Sequence, residues 1–358
     1  MQLFLDYWVI HVKLISNDSN TKKDNMKIKQ AFLTLTASIL IVGVGVTSSQ
    51  QVSAAKYSKS ESRSVKSFQK KYRALNKKVY DQINLYETVP VFTEKFNPGT
   101  LEPDYIKTSM NYINYYRSLV GLPSEDNPEK DNLDAQIGAG TLAAIKAAPD
   151  LNAHGLLNYK RPEMISKTDW ETAEDATLGN INFLEDNSSA SAGEIVTDLL
   201  QDENNLAGSG NTGHRALLLS ARATHMGIGA AYGENGMLYS VENGVFADDI
   251  LRDPAKSVVT YPSNQVFPIE LLSKNTPWSA YFSSKEIKST PTIYIKDLTT
   301  KKTYRATRVK NFKNAHYSDG YRTAISFYPG KTKLVNTHKY QVKIGSYYSY
   351  SFRLFRQK

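Results

Sequence analysis

Apolar positions along the chain fall into distinct runs. Ala31 to Val46 is an uncharged stretch of 16 residues behind the basic segment Met26-Lys27-Ile28-Lys29. From Ser60 to Tyr86, Val65, Phe68, Tyr72, Leu75, Val79, Ile83 and Tyr86 return every three or four positions. That period predicts one helix with a single apolar stripe. The stripe is narrow and lacks Trp, so it predicts a helix docked on the next block, or a short coil, rather than a membrane-surface helix.

Helical spacing recurs over Tyr105–Leu119, which ends at Gly121 and Pro123, and over Ala-rich Leu133–Ala147. It recurs again over Ala192–Asn204 and His214–Ser220. Two apolar runs, Met226–Tyr232 and Met237–Glu242, flank Gly233-Glu234-Asn235-Gly236, and Asn-Gly is a strong hairpin signal. Thr292–Lys296, Thr303–Val309, Arg322–Tyr328, Tyr340–Gly345 and Tyr348–Phe355 read as strands at short spacing. The expectation is an α+β fold, with helices and a hairpin followed by a small all-β sandwich of Ig-like type.

Composition narrows the classes. The chain has 358 residues, 41% hydrophobic and 22% charged, with no cysteine. It can bury sizeable cores, and it has no disulfides, thiolate metal site, cysteine nucleophile or lipid-attachment cysteine. The basic segment, the apolar run and the small residues Val52-Ser53-Ala54-Ala55 read as a secretory signal peptide spanning 26–55. The run is short of the ~20 residues that span a bilayer, so no transmembrane span is expected in the mature chain. Residues 1–25 read as an over-extended start or non-functional leader. A secreted chain without cysteine fits a Gram-positive bacterium and a secreted, extracellular or wall-associated location.

Charge switches sign twice, which places boundaries near 100 and 250. Residues 56–100 carry 10 basic and 4 acidic side chains, residues 101–250 carry 9 and 23, and residues 251–358 carry 20 and 5. The last block, net +15, predicts attraction to an anionic cell-wall polymer, screened by salt. Nucleic acid is not the expected partner of an exported chain.

No H-E-x-x-H, G-x-S-x-G or G-x-x-x-x-G-K motif is present. His154, in Leu151-Asn152-Ala153-His154-Gly155, and His214, in Gly213-His214-Arg215, each lie at the edge of a helical element beside small residues. Acidic side chains between them include Asp202 and Glu203. Two imidazoles with carboxylates can hold a divalent cation, zinc or calcium. Each histidine can equally cap a helix or pack under a loop. Ser209 and Ser220 lie near His214 in sequence but form no nucleophile motif.

Residues 102–242 resemble the CAP superfamily, the SCP-like group of cysteine-rich secretory, antigen 5 and pathogenesis-related proteins. The similar segments come in family order. Asn111 to Leu122 resembles an opening helix with an N-x-x-R…GL signature, and Ala135–Ala147 a second helix leading to His154. Gly213-His214-Arg215 with Leu217-Leu218 resembles the second histidine motif, and His225-Met226-Gly227-Ile228-Gly229-Ala230 the strand that follows. The resemblance implies an α-β-α sandwich and a pocket of two histidines and two acidic residues. Asn180, in Leu178-Gly179-Asn180-Ile181, stands where the family places a glutamate, and the second carboxylate falls on Asp202 or Glu203. One carboxylate fewer implies a weakly bound cation at His154 and His214, strengthened by Asn180→Glu. The resemblance also implies a non-catalytic binding protein for a lipid, host or wall component. The competing expectations are a metal-assisted extracellular peptidase using His154 and His214, and a structural surface-layer protein.

Overall fold

The computed structural model describes residues 56–185, 189–244, 247–312 and 320–358. The expected leader (1–25), the signal peptide (26–55) and His316 lie outside the described residues.

Helix α1 (Lys59–Ala74) starts at a capping box in which Ser58 and Glu61 satisfy each other's backbone N–H groups. It is shorter than the helix expected to run to Tyr86. Leu75 is extended, Asn76 accepts a hydrogen bond from the Lys78 backbone, and Asp81 caps Ile83 and Asn84. These side chains compete with the helix for backbone donors. Val79 and Ile83 are therefore exposed rather than part of the stripe. The chain continues as strands β1 (Val79–Tyr80), β2 (Tyr86–Thr88) and β3 (Thr100–Leu101). The true stripe docks, with Phe68 stacked on Phe355 at 6.2 Å and Tyr72 against Tyr115 at 5.8 Å.

Helix α2 (Pro103–Val120) has Pro at its start and ends at Gly121, whose φ of +73° suits only glycine without strain. Helix α3 (Glu129–Ala144) precedes the 3-10 segment Leu151–Leu156 and helix α4 (Lys167–Ala176). Then come β4 (Asn180–Leu184), β5 (Ala190–Ser191), α5 (Ala192–Gln201), α6 (Gly213–Leu218), β6 (Gly227–Tyr232) and β7 (Leu238–Asn243), followed by the short helix α7 (Ala247–Ile250). β4, β7 and β6 form an antiparallel sheet in that order. Its Ile181, Ala231, Tyr239 and Val241 pack with α3 and α4, while Ile228, Ala230 and Leu238 join the core that contains α2, α5 and α6. Helices thus cover both faces of the sheet.

Two glycines set the approach of α3. A Cβ at Gly227 would lie 2.1 Å from Asp131 O, and one at Gly229 2.1 Å from Ala135 O. With glycine there, Asn132 and Gln136 reach the free edge of β6 and accept hydrogen bonds from Ile228 N and Ala230 N. An edge strand is thereby satisfied by helix side chains.

The C-terminal block is a two-sheet β-sandwich. β8 (Val258–Tyr261), β10 (Trp278–Phe282), β14 (Thr323–Tyr328) and β13 (Thr307–Asn311) form one sheet. β9 (Val266–Pro268), β16 (Tyr348–Phe355), β15 (Lys339–Ile344), β11 (Ile293–Asp297) and β12 (Thr303–Arg305) form the other, antiparallel except for the β9–β16 pair. Trp278 meets Phe352 edge-on across the sandwich at 5.4 Å. The single strand expected over Thr303–Val309 is two. At buried Ala306 the chain leaves β11 and joins β14 in the opposite sheet.

The described residues form one compact unit. The α/β body and the sandwich share a core, so the charge boundary near 250 separates two architectures within that unit. The described structure is mixed α+β, and among the described residues no helix is long and apolar enough to cross a membrane.

Candidate functional site

His154 sits where the 3-10 segment breaks. Gly155, at φ +64°, turns the chain so that His154 Nδ1 lies 3.0 Å from Thr177 O while Gly155 N donates to Thr177 Oγ1. Thr177 is the C-cap of α4 and lies three residues before Asn180, the first residue of β4. The Asn180 side chain donates to His214 O at 3.1 Å. His214, in the first turn of α6, has Nδ1 3.0 Å from Asp202 Oδ1. Asp202 caps α5 in the left-handed region, accepts a bond from Asn205 at 2.9 Å, and receives Arg215 N on its other oxygen at 3.2 Å.

His154 is thus bonded to Thr177, and His214 to Asn180 and Asp202, with Thr177 and Asn180 three residues apart where α4 gives way to β4. Charge on His214 acts on His154. Glu203 is not part of this set. Its carboxylate accepts from Ser273 and Thr276 in the sandwich. Ser220 Oγ accepts from Arg222 N and Ala223 N, and Ser209 pairs with Tyr328 at 3.0 Å.

Glu242 is the residue that spacing alone does not reveal. It lies on β7 directly opposite Asn180, is 1% exposed, and its Oε2 has no hydrogen-bond partner. Burial pushes its carboxyl up to about 8. Burial, with the charge on His214, pushes His154 down to about 4. Burial also opposes charge on His214, but the Asp202 carboxylate outweighs it and raises that pKa. His214 nevertheless keeps 19% of its side-chain surface open. The surroundings thus favour the neutral forms of His154 and Glu242 and the charged form of His214. Groups pushed apart in this way are what proton transfer or selective ligand binding requires.

No family model matches the chain, and no curated protein matches it.

Both Nδ1 atoms face protein oxygens, an arrangement that leaves each Nε2 as the nitrogen available to a ligand, while Asn180 is turned to a carbonyl. Among the described residues no group of three or more His, Asp and Glu side chains is arranged to hold a metal ion. Zinc asks for four ligands, or three and an open position.

Two predictions follow from this geometry. Asn180→Glu removes the bond to His214 O and buries a second carboxyl opposite Glu242, so a loss of about 2 kcal/mol or more is expected. Urea denaturation measures it, and an unchanged midpoint would contradict the geometry.

Stability should also be bounded on both sides in pH. His154 is depressed, so its contribution is complete above its unfolded pKa of about 6.5 and is lost as pH falls through about 4. Glu242 is raised, so its contribution is complete below about 4.5 and is lost as pH rises through about 8. Raised His214 adds to the alkaline loss. Thermal melts should peak near pH 6, as an order-of-magnitude placement between these limits. Glu242→Gln should flatten the alkaline limb, and a limb of undiminished slope would show that another group causes it.

Proposed function

We propose that the chain is a secreted, wall-associated CAP-type binding protein of a bacterial surface. In this reading the pocket at His154 and His214 takes a lipid, host or wall ligand, and residues 251–358 hold the molecule to an anionic wall polymer. The observation that carries it is that His154 bonds Thr177 and Asn180 bonds His214, with Thr177 and Asn180 three residues apart, which supports the single two-histidine pocket that the CAP resemblance implies. The α-β-α layering of residues 102–243 and the two-sheet sandwich after them support the same reading.

The basic sandwich supplies the attachment. Of its 5 acidic residues, Glu270 lies 3.9 Å from Arg356, Glu286 lies 3.0 Å from Arg322, and Asp297 is buried against His338. Few carboxylates remain for the other cations. Serine-peptidase chemistry would need a hydroxyl beside His214 Nε2, and the nearest serines in sequence serve other partners.

The test is sedimentation of the chain spanning 56–358 with purified Gram-positive walls. Binding is expected at low salt, with release as salt approaches ~1 M, where the Debye length is about 3 Å. Walls stripped of their phosphate polymer should not bind it. Retention indifferent to salt and to stripping, or steady turnover of a peptide library that His214→Gln abolishes, would contradict the reading.

A further inference from the structure

The outward face of the five-stranded sheet carries a patch that net charge alone does not describe. Along β11 burial alternates strictly, with Ile293, Ile295 and Asp297 inside and Tyr294 and Lys296 outside. Pairing registers then fix two rows across the sheet. The first runs Arg305, Tyr294, Lys343, Ser349, and the second Thr303, Lys296, Gln341, Ser351. Neither row contains an acidic residue. Tyr294 is 46% exposed, although it is a large aromatic residue in the middle of a strand.

Further along the face, the cations are already spoken for. Glu61 of α1 reaches Lys339 at 3.5 Å and Arg353 at 3.1 Å, so α1 offsets part of the charge at that end. At the open end, Lys296, Arg305 and Lys343 make no ion pair among the described residues.

We propose that this open end, with Tyr294 at its centre and Lys296, Arg305 and Lys343 around it, is a docking surface for a phosphate-linked polyol or sugar polymer. The proposal rests on the wall-association reading above and names the part of the sandwich that performs it. Neighbouring strands lie about 4.8 Å apart, so Arg305 and Lys343 flank Tyr294 across about 10 Å. That spacing lets the two long side chains grip separate phosphates as well as converge on one. It suits successive phosphates of a repeating chain, with the intervening polyol or sugar lying on the Tyr294 ring. Thr303, Gln341 and Ser349 add hydroxyl and amide groups for its hydroxyls. Arg305 can grip a phosphate with two parallel bonds, and the lysines act as point charges. The strands fix the backbone positions of these groups, so only their exposed side chains need ordering on binding.

The experiment uses the chain spanning 56–358 and purified poly(glycerol phosphate), with affinity followed by calorimetry across salt concentrations. Three variants are compared with the parent chain. One is Lys296→Gln/Arg305→Gln/Lys343→Gln. The second is Lys274→Gln/Lys331→Gln/Lys333→Gln, which removes equal charge from exposed positions elsewhere in the sandwich. The third is Tyr294→Ala, which leaves charge unchanged. The first should weaken binding about tenfold or more with a shallower salt dependence, the second less than about threefold, and the third several-fold. Equal losses from both triple variants would overturn the face while leaving charge-driven wall binding in place. An unaffected Tyr294→Ala would overturn the role of the ring. Tighter binding to single-stranded nucleic acid or to anionic vesicles at matched charge would overturn the choice of partner. No binding by the parent chain to polymer or to walls would overturn the wall reading itself.

Discussion

Arg117→Ala is expected to cost about 3–5 kcal/mol of stability, enough to unfold a marginal domain. The Arg117 side chain is fully buried and donates from Nε to Pro123 O, from Nη1 to Leu218 O and Ser220 O, and from Nη2 to Ala223 O. Glu125 Oε1 lies 2.6 Å from Nη1 and is equally buried. Because Nη1 already serves two carbonyls, the carboxylate gains charge attraction without a directed hydrogen bond. Asn114 completes the clamp by exchanging two bonds with the Glu125 backbone. Alanine would strand four buried carbonyls and a carboxylate, and would loosen the segment that follows α6 and His214. Lysine has no fork and should be nearly as costly. Burial, against the pull of Arg117, holds Glu125 up at about 7. It is partly neutral at that pH, so Glu125→Gln should cost only about 1 kcal/mol. Urea midpoints for the three variants give the order. Arg117→Lys within about 1 kcal/mol of the parent would contradict the clamp.

Arg215→Leu should be comparably damaging, for a different reason. Arg215 is fully buried and joins the two architectures. Nε donates to Leu200 O at 2.6 Å and Nη2 to Gln201 O at 2.5 Å, at the C-terminal end of α5, where the helix dipole favours a cation. Nη1 donates to Pro277 O and Ser279 Oγ in the sandwich, and the guanidinium stacks over Tyr261 at 3.9 Å. Tyr281 to Thr212 O, Tyr321 to Leu219 O and Ser326 to Gly210 O cross the same boundary. A loss of about 3 kcal/mol or more is expected, with proteolytic opening near the junction and a shifted His214. An isolated 56–250 segment should not fold cooperatively, because the cluster that packs α2, α5 and α6 is continuous with the core of the sandwich. Two separate calorimetric transitions in the full chain, unchanged by Arg215→Leu, would contradict this coupling.

Regular apolar spacing makes α2 and α5 legible, the run of small residues marks α3, and Asn235-Gly236 marks the β6–β7 hairpin. The residues of the CAP resemblance acquire physical roles. Asn114 and Arg117 form the clamp, Gly227 and Gly229 admit α3, and Arg215 bridges to the sandwich. β8 and β10 are harder to read. Val258–Tyr261 and Trp278–Phe282 are almost wholly buried, so polar and apolar residues do not alternate along them. The apolar stripe beyond Leu75 misleads because local side-chain bonds at Asn76 and Asp81 end the helix, which spacing does not register. In the site, His154, His214 and Asn180 are legible as motif residues. The choice of Asp202 over Glu203 depends on the left-handed cap after α5, which turns one carboxylate to His214 and the other to Ser273 and Thr276. Glu242 depends on strand register opposite Asn180, a tertiary fact with no local signature.

Titration of the histidine ring protons by NMR tests most directly whether His154 and His214 share one site. In the parent chain His154 should titrate near pH 4 and His214 above its ordinary value. In His214→Gln the neighbouring charge is gone, so the His154 midpoint should rise. In Asp202→Asn the His214 midpoint should fall. A His154 that titrates near pH 6.5 and does not respond to His214→Gln would place the two rings in separate environments and contradict the shared pocket.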